Sequence, residues 1–234
     1  MTEFVMVAGA WLGAWVWGDV ARLLRAAGHG AHPLTLSGLA EKRDALAGQQ
    51  THVQDIVDEI TRRDLHEVVL VGHSYSGIPV GQAAERIGGR LSRVVFVDSE
   101  VPVDGESFVS LWWEGPERLA ASLAANDGWW APPTAGDLAG QGLSDAQTAR
   151  LVAGATPHPG ASLSEPAVLT RPLGALPATY VKCLLDGPEP NATVAELLTH
   201  ETWRRVDLGT GHWPMVSEPE ELARVLLAAA EERG

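Results

Sequence analysis

The chain has 234 residues, a formal net charge of −13 and an isoelectric point near 5.0. This length suffices for one large domain with a sizeable buried core, which excludes a small disulfide-stabilised scaffold. A strongly acidic surface repels phosphate backbones and anionic membranes, so we expect neither nucleic acid nor a membrane as a partner.

Short apolar runs alternate with amphipathic segments along the first half of the chain. Strands are predicted at residues 4–8 and 31–36, and helices at residues 15–27 and 51–63. This alternation is typical of a mostly parallel sheet whose two faces are covered by crossover helices. The sequence therefore predicts an α/β fold.

The most strand-like segment, residues 68–71, ends at a tight turn with the sequence Gly72-His73-Ser74. A helix is predicted at residues 76–87 and another buried strand at 94–97. The order strand, turn, helix, strand is that of a right-handed crossover unit.

Regular periodicity is lost between residues 103 and 176, where Pro, Gly and Ala dominate. We interpret this segment as a mainly helical cap inserted into a single domain that spans residues 1–234. Order returns with a strand at 178–184, a helix near 194–198, a strand at 203–208 and a last helix at 218–232.

The turn around Ser74 has the features of a nucleophile elbow. A serine hydroxyl needs a base that removes its proton and a sharp turn that exposes its oxygen. Gly72 permits the close backbone approach of such a turn, and the following helix directs amide groups toward developing negative charge. Ser76 stands where the usual pattern has glycine, and Gly77 follows it.

With these motifs the chain resembles the α/β-hydrolase superfamily, and more closely its branch of plant-type methylesterases and hydroxynitrile lyases. The resemblance covers nearly the whole length. It is carried by four groups of residues: Val7-Ala8-Gly9-Ala10 with Gly13-Ala14-Trp15-Val16-Trp17, the segment from Gly72 to Gly77, Val97-Asp98 with Pro102 and Gly105, and Gly211-His212.

The resemblance implies a catalytic triad in the chain order Ser, acid, His. His212 follows a predicted strand and a flexible turn, whereas His200 ends a predicted helix, so His212 is the preferred base. Asp186, just past the strand at 178–184, matches the acid of the branch. Asp98 is the alternative acid because some family members place it after the preceding strand, and Asp207 ranks third.

An oxyanion hole made of two backbone amides is also implied. One amide belongs to Tyr75, directly after the nucleophile, and by resemblance the other belongs to Ala10. Family members often carry His-Gly in the loop after the first strand, but this chain has Ala8-Gly9. Because this chain lacks the histidine side chain, we expect the loop after the first strand to be less rigid, although the backbone amide of Ala10 remains available.

The expected reaction is hydrolysis of a carboxylic ester of a small apolar or aromatic substrate through an acyl-enzyme on Ser74. Hydroxynitrile lyases of the branch use a Lys beside the catalytic His and a Thr in the first loop. Trp213 and Gly9 occupy those positions, which disfavours cyanide chemistry. Four tryptophans are candidates for the substrate pocket, although packing of the cap on the sheet explains them equally well: Trp112, Trp113, Trp129 and Trp130. Trp11 and Trp213 are further candidates for the pocket.

Two other classes of function stay open at this point. One is carbon–carbon bond cleavage or a tailoring reaction of bacterial secondary metabolism, and the other is ligand binding without catalysis on the same fold. No metal cluster or dinucleotide fingerprint is recognisable, so no metal and no cofactor are expected. The single cysteine, Cys183, favours a reducing compartment, and we expect a cytoplasmic monomer or homodimer.

Overall fold

The structure, a computed structural model, describes residues 1–112 and 115–231. Its strands are β1 (Glu3–Val7), β2 (Gly30–Leu34), β3 (Val68–His73), β4 (Leu91–Val97), β5 (Trp129–Trp130), β6 (His158–Pro159), β7 (Ala178–Cys183) and β8 (Trp203–Leu208). Six of them form a parallel sheet in the order β2-β1-β3-β4-β7-β8, and β5 pairs with β6 in a separate antiparallel ribbon.

Helices cover both faces of the sheet. The helices are α1 (Gly18–Ala26), α2 (Gln49–Arg62), α3 (Gly77–Ile87), α4 (Phe108–Leu111), α5 (Pro116–Ala125), α6 (Asp145–Gly154), α7 (Gly160–Ser164), α8 (Ala192–Leu197), α9 (Pro214–Ser217) and α10 (Pro219–Glu231). Helices α2 and α3 pack together, and α1 packs against α10.

The central strands are apolar on both faces because both faces are covered. In β3, Val68 and Leu70 belong to one core cluster, and Val69 and Val71 to the other. Each fully buried aliphatic side chain contributes about 1.5–3 kcal/mol relative to exposure. Continuous apolar strands are the expected pattern for a parallel sheet between two helical layers.

The strand order creates a crevice where β1 and β3 lie side by side. From β1 the chain crosses to β2 at one edge, and then returns past β1 to β3 on its other side. Loops from neighbouring strands diverge at such a switch point, and ligands bind beyond the carboxyl ends of the strands there. The turn after β3 and the loop after β1 meet at this place.

The chain between β4 and β7 contains the helices α4 to α7 and the short β5–β6 ribbon. This part includes more than the helices expected from the sequence, because Trp129 and Trp130 pair with Pro159 and His158. Within the described ranges, no helix is both long and apolar enough to cross a membrane.

Candidate active site

Ser74 lies at the sharp turn between β3 and α3 and has a φ of 56°. This left-handed conformation is costly for a residue other than glycine, and such strain is typical of functional sites. Two glycines allow the turn. A Cβ on Gly72 would lie 3.0 Å from Val80, and a Cβ on Gly77 would lie 2.0 Å from the carbonyl oxygen of Glu100. Ser74 therefore points into the crevice.

Ser76, which replaces the usual glycine of the elbow, is fully buried. Its hydroxyl accepts a hydrogen bond from the His73 amide at 3.0 Å, and it lies 2.9 Å from the carbonyl oxygens of Val7 and His73. The departure from the motif thus supplies a polar contact between the end of β1 and the elbow.

The hydroxyl of Ser74 contacts the imidazole of His212 at the centre of the crevice. The distance from Ser74 Oγ to His212 Nε2 is 2.8 Å. On the other side of the ring, His212 Nδ1 lies 2.7 Å from Asp98 Oδ2 and 3.4 Å from Asp186 Oδ2. The structure therefore brings both candidate acids to the same nitrogen, with Asp98 the nearer one.

The two carboxylates differ in their surroundings. The side chain of Asp98 is 2% exposed, and its second oxygen accepts from Lys182 Nζ at 2.6 Å and from the Cys183 amide at 3.2 Å. Asp186 is 38% exposed and accepts from the cap residue Gln141 at 3.1 Å. Asp98, Asp186 and His212 could be considered as metal ligands, but the ammonium group already paired with Asp98 disfavours a cation there.

These contacts determine the charge of the imidazole. Burial opposes the imidazolium form, but hydrogen bonds to Asp186 and Asp98 outweigh it and raise the pKa of His212 to about 9. For Asp186, burial is likewise outweighed by the contact with His212, which lowers the pKa of its carboxyl. Both carboxylates therefore stabilise the imidazolium form of His212.

A second histidine fixes the backbone at His212. His73 Nε2 donates to the carbonyl oxygen of His212 at 2.7 Å. Burial, together with the neighbouring His212 ring, lowers the pKa of His73 to about 3, so the His73 ring stays neutral. The loop that carries His212 is therefore fastened to the end of β3, beside Ser74.

The loop after β1 lies directly against the elbow. A Cβ on Gly9 would approach Ser74 Cβ to 2.7 Å and His73 Nδ1 to 2.8 Å, so a larger residue requires a shift of the loop. The amide of Ala10 donates to no acceptor in the described part of the chain. The Tyr75 amide lies in the first turn after Ser74, where helical amides have no intrahelical partner. Two free amides thus adjoin the serine.

A cleft of about 940 Å³ opens above Ser74. One wall is aromatic: Trp11 and Trp130 have ring centroids 4.1 Å apart, Trp112 and Trp130 5.1 Å, and Phe108 and Trp112 5.2 Å. Trp213 also lines the cleft and contacts the His212 ring edge-on at 5.0 Å.

Two of the predicted pocket tryptophans are placed differently. Trp129 lines a separate hollow together with Arg43 and Asp44. Successive side chains of a strand point to opposite faces, so Trp129 and Trp130 of β5 do not share a direction. Trp113 lies outside the described residues.

The lining of the cleft also includes polar residues, among them Glu100. Its carboxylate accepts a hydrogen bond from Asn191 at 2.7 Å. Burial, reinforced by the negative charge of Asp98, raises the pKa of Glu100 to about 7. Glu100 therefore changes its charge near neutral pH inside the cleft.

We expect Glu100→Gln to raise the free energy of unfolding, relative to wild type, more at pH 8 than at pH 5. Because the pKa of Glu100 is raised on folding, its stabilising contribution is complete below about pH 4.5 and is lost as the pH rises through 7. Gln carries no charge, so the difference in unfolding free energy between variant and wild type should grow by about 1–3 kcal/mol between pH 5 and pH 8. Denaturant titrations at both pH values measure it, and a pH-independent difference would contradict it.

Several residues of the site were not identified from the sequence. Lys182 interrupts the apolar run of β7, and a charged residue in a buried strand was the available signal. Phe108 and Gln141 belong to the irregular segment and carried no signal. The sequence argument against cyanide chemistry relied on the lack of a cation beside His212. The structure places the ammonium group of Lys182 at the cleft, where it is already paired with Asp98.

Comparisons with known proteins agree with this architecture. The sequence profile of the alpha/beta hydrolase family matches residues 4–225. The carbendazim hydrolyzing esterase of Nocardioides sp. (strain SG-4G) is 31% identical over 97% of this chain and 99% of its own length. The putative chloroplastic methylesterase 11 of Arabidopsis thaliana is 24% identical over 97% of this chain and 64% of its own length.

A solved structure shares the fold. An extracellular alpha/beta-hydrolase from a Paenibacillus species superposes with a TM-score of 0.87 over 99% of this chain and 100% of its own, at 23% sequence identity. The fold class and the family resemblance expected from the sequence are thereby confirmed. The chain belongs to the alpha/beta hydrolase family and is a carboxylesterase-like member of the branch that contains the methylesterases.

Proposed function

We propose that the protein hydrolyses carboxylic esters of small apolar or aromatic substrates, with Ser74 as the nucleophile and His212 as the general base. The observation that carries this proposal is the continuous chain of hydrogen bonds from Ser74 through His212 to Asp98, with distances of 2.8 Å and 2.7 Å. The esterase from Nocardioides and the methylesterase from Arabidopsis support ester hydrolysis as the reaction class.

The first half-reaction forms an acyl-enzyme. Neutral His212 accepts the Ser74 proton at Nε2 while the serine oxygen attacks the ester carbonyl. Negative charge then develops on the carbonyl oxygen, and the amides of Ala10 and Tyr75 are the donors that we assign to it. The tetrahedral intermediate expels the alcohol, which receives its proton from His212.

The second half-reaction uses the same groups for water. His212 removes a proton from a water molecule, which attacks the acyl carbon. The second tetrahedral intermediate then expels the serine oxygen, which receives its proton back from His212 as the acid is released. We assign to Asp98 the role of accepting the hydrogen bond from the Nδ1–H of His212, because Asp98 is the nearer and more deeply buried carboxylate. Asp186 acts as an outer carboxylate that raises the basicity of the imidazole.

The aromatic wall supports an apolar or aromatic substrate group. Trp11, Trp112 and Trp130 form a continuous surface of tilted and edge-on rings at the cleft. Flat apolar rings gain much buried area from such a surface at a small cost in conformational entropy. We therefore expect esters with an aromatic or compact apolar group to be the better substrates.

The proposal is tested by covalent labelling of Ser74. A fluorophosphonate should add the mass of one phosphonyl group to each wild-type chain, and peptide mapping should locate this adduct on Ser74. Hydrolysis of nitrophenyl acetate and nitrophenyl benzoate, followed in parallel, reports turnover and the preference for an aromatic acyl group. Folded protein that shows neither labelling nor turnover would favour the binding or lyase alternatives.

A further inference from the structure

The loop after β1 is fastened to the cap through Trp11. The Trp11 amide donates to His158 Nδ1 at 3.3 Å, and the Trp11 carbonyl accepts from the Thr156 amide at 2.9 Å. Its indole nitrogen donates to the carbonyl of Trp130 at 3.3 Å. Trp11 has a φ of 66°, a strained value for a residue with a side chain. Three contacts from the cap therefore hold a backbone conformation that a free loop would not favour.

The hydrogen bonds around His158 define which of its nitrogens carries the proton. Ser162 Oγ donates to the Pro159 carbonyl at 2.7 Å, so it accepts from His158 Nε2 at 2.9 Å. His158 Nδ1 is then unprotonated and can accept from the Trp11 amide. Burial lowers the pKa of His158 well below its usual range, so this arrangement persists at neutral pH.

A second buried histidine supports Tyr75 in the same manner. His52 Nε2 donates to the carbonyl of Ser37 at 2.8 Å, so His52 Nδ1 accepts from the Tyr75 hydroxyl at 2.8 Å. The rings of His52 and His158 meet edge-on with centroids 5.9 Å apart, and the Tyr75 ring lies 4.6 Å from that of His158. One buried cluster therefore contacts both segments that carry the assigned oxyanion donors.

We propose that His158 is a positioning residue that holds the loop after β1 so that the Ala10 amide faces the substrate oxygen, while His52 holds Tyr75. This inference rests on the oxyanion hole assigned under the proposed function. The chain lacks the histidine that family members often carry at the position of Ala8. His158 reaches the same loop from the cap, and in this protein it supplies that support.

Two substitutions at position 158 test the proposal. His158→Leu removes the acceptor, whereas His158→Asn retains an oxygen near the position of Nδ1. For the leucine variant we expect a roughly 10- to 100-fold lower kcat, less than the 10²- to 10³-fold effect of deleting an oxyanion donor outright, with little change in KM. Its inhibition constant for a trifluoromethyl ketone, which forms an oxyanion on the serine, should rise by the same factor. The asparagine variant should recover most of both losses.

Gln82→Leu provides the matched control. Gln82 is also buried, and it bonds to Gln49 between α2 and α3 without contacting the loop after β1. The Gln82→Leu variant should lose thermal stability while its kcat and its affinity for the ketone stay within about threefold of wild type. Such a result separates a general loss of packing from a specific loss of oxyanion stabilisation.

Several outcomes would overturn the inference. Unchanged kcat in folded His158→Leu would do so, and so would equal losses in the leucine and asparagine variants, because these indicate packing alone. If His158→Leu does not fold, Tyr75→Phe is the second variant, since it removes only the hydroxyl that contacts His52 at 2.8 Å and the Ser162 carbonyl at 3.3 Å. A kcat loss with a parallel loss of ketone affinity supports the cluster, and an unchanged kcat overturns it. Absence of Ser74 labelling in the wild type would instead overturn the proposed function itself.

Discussion

Replacing Ser74 with alanine should lower kcat for nitrophenyl ester hydrolysis by roughly 10⁴- to 10⁶-fold, the range found when a serine hydrolase loses its nucleophile. The loss follows from chemistry, because the methyl group of alanine offers no oxygen to form the acyl-enzyme. The side chain of Ser74 makes its hydrogen bond to His212 alone among the described residues. The fold should therefore be preserved, with an unfolding free energy within about 1.5 kcal/mol of wild type.

Ser76→Ala is the control for Ser74→Ala, because it changes the same turn and leaves the nucleophile in place. It deletes a buried hydroxyl with contacts to His73 and Val7, so it should cost about 1–3 kcal/mol in unfolding free energy. Fluorophosphonate labelling should persist in Ser76→Ala and vanish in Ser74→Ala. Residual turnover above one-hundredth of wild type in Ser74→Ala would contradict the assigned nucleophile.

The second large effect concerns the two carboxylates beside His212. We expect Asp98→Asn to lower kcat/KM by about 10³- to 10⁴-fold, because a neutral amide does not stabilise the imidazolium and no longer enforces the tautomer with the proton on Nδ1. Asp186→Asn should cost no more than about tenfold at its optimal pH, since Asp186 lies farther from Nδ1 and is partly solvated. The opposite ranking in steady-state kinetics would make Asp186 the orienting acid.

The pH dependence of activity distinguishes the two roles further. Only neutral imidazole accepts the serine proton, and the two carboxylates raise the pKa of His212 to about 9. In the wild type, kcat/KM should therefore rise about tenfold per pH unit up to that value. Asp186→Asn removes one of the two carboxylates that raise the pKa of His212. The rising part of the kcat/KM pH profile of this variant should therefore lie about one pH unit lower than in the wild type. A wild-type limb near pH 6.5 would contradict this assignment.

Stability must be separated from catalysis in the Asp98 variant. Asp98→Asn leaves the buried Lys182 without its negative partner, which should cost about 3–5 kcal/mol. The double variant Asp98→Asn/Lys182→Met removes that uncompensated charge. We expect it to regain stability in thermal denaturation and yet remain as slow as Asp98→Asn.

The sequence predicted the sheet and the elbow well because both depend on local patterns. The buried runs around residues 70 and 95 have continuous apolar character, and the turn at Ser74 has a specific glycine spacing. His212 could be selected as the candidate base because chain order in the family leaves few late histidines. Each of these signals lies within a few residues of the feature that it predicts.

The relative distances of Asp98 and Asp186 from His212 could not be obtained in this way. Asp98 and Asp186 each follow a strand of the sheet, and β4 and β7 are neighbours, so both carboxylates arrive at the same edge. Which carboxylate lies nearer to His212 depends on the ammonium group of Lys182 and the amide of Cys183, because these groups bind Asp98 from a different strand. The buried histidine cluster was missed for a similar reason, because its members come from α2, the elbow and the cap.

The attachment of Trp11 to the cap has a consequence for protein engineering. In many enzyme families, segments that cover a binding site are exchanged between homologues to alter specificity. Here residues 156–158 bind the backbone of the loop beside Ser74, while Trp130 of the same cap lines the cleft. A grafted cap would need to reproduce those backbone contacts as well as a new pocket surface. Chimeras that lack these backbone contacts should lose turnover as well as the original substrate range.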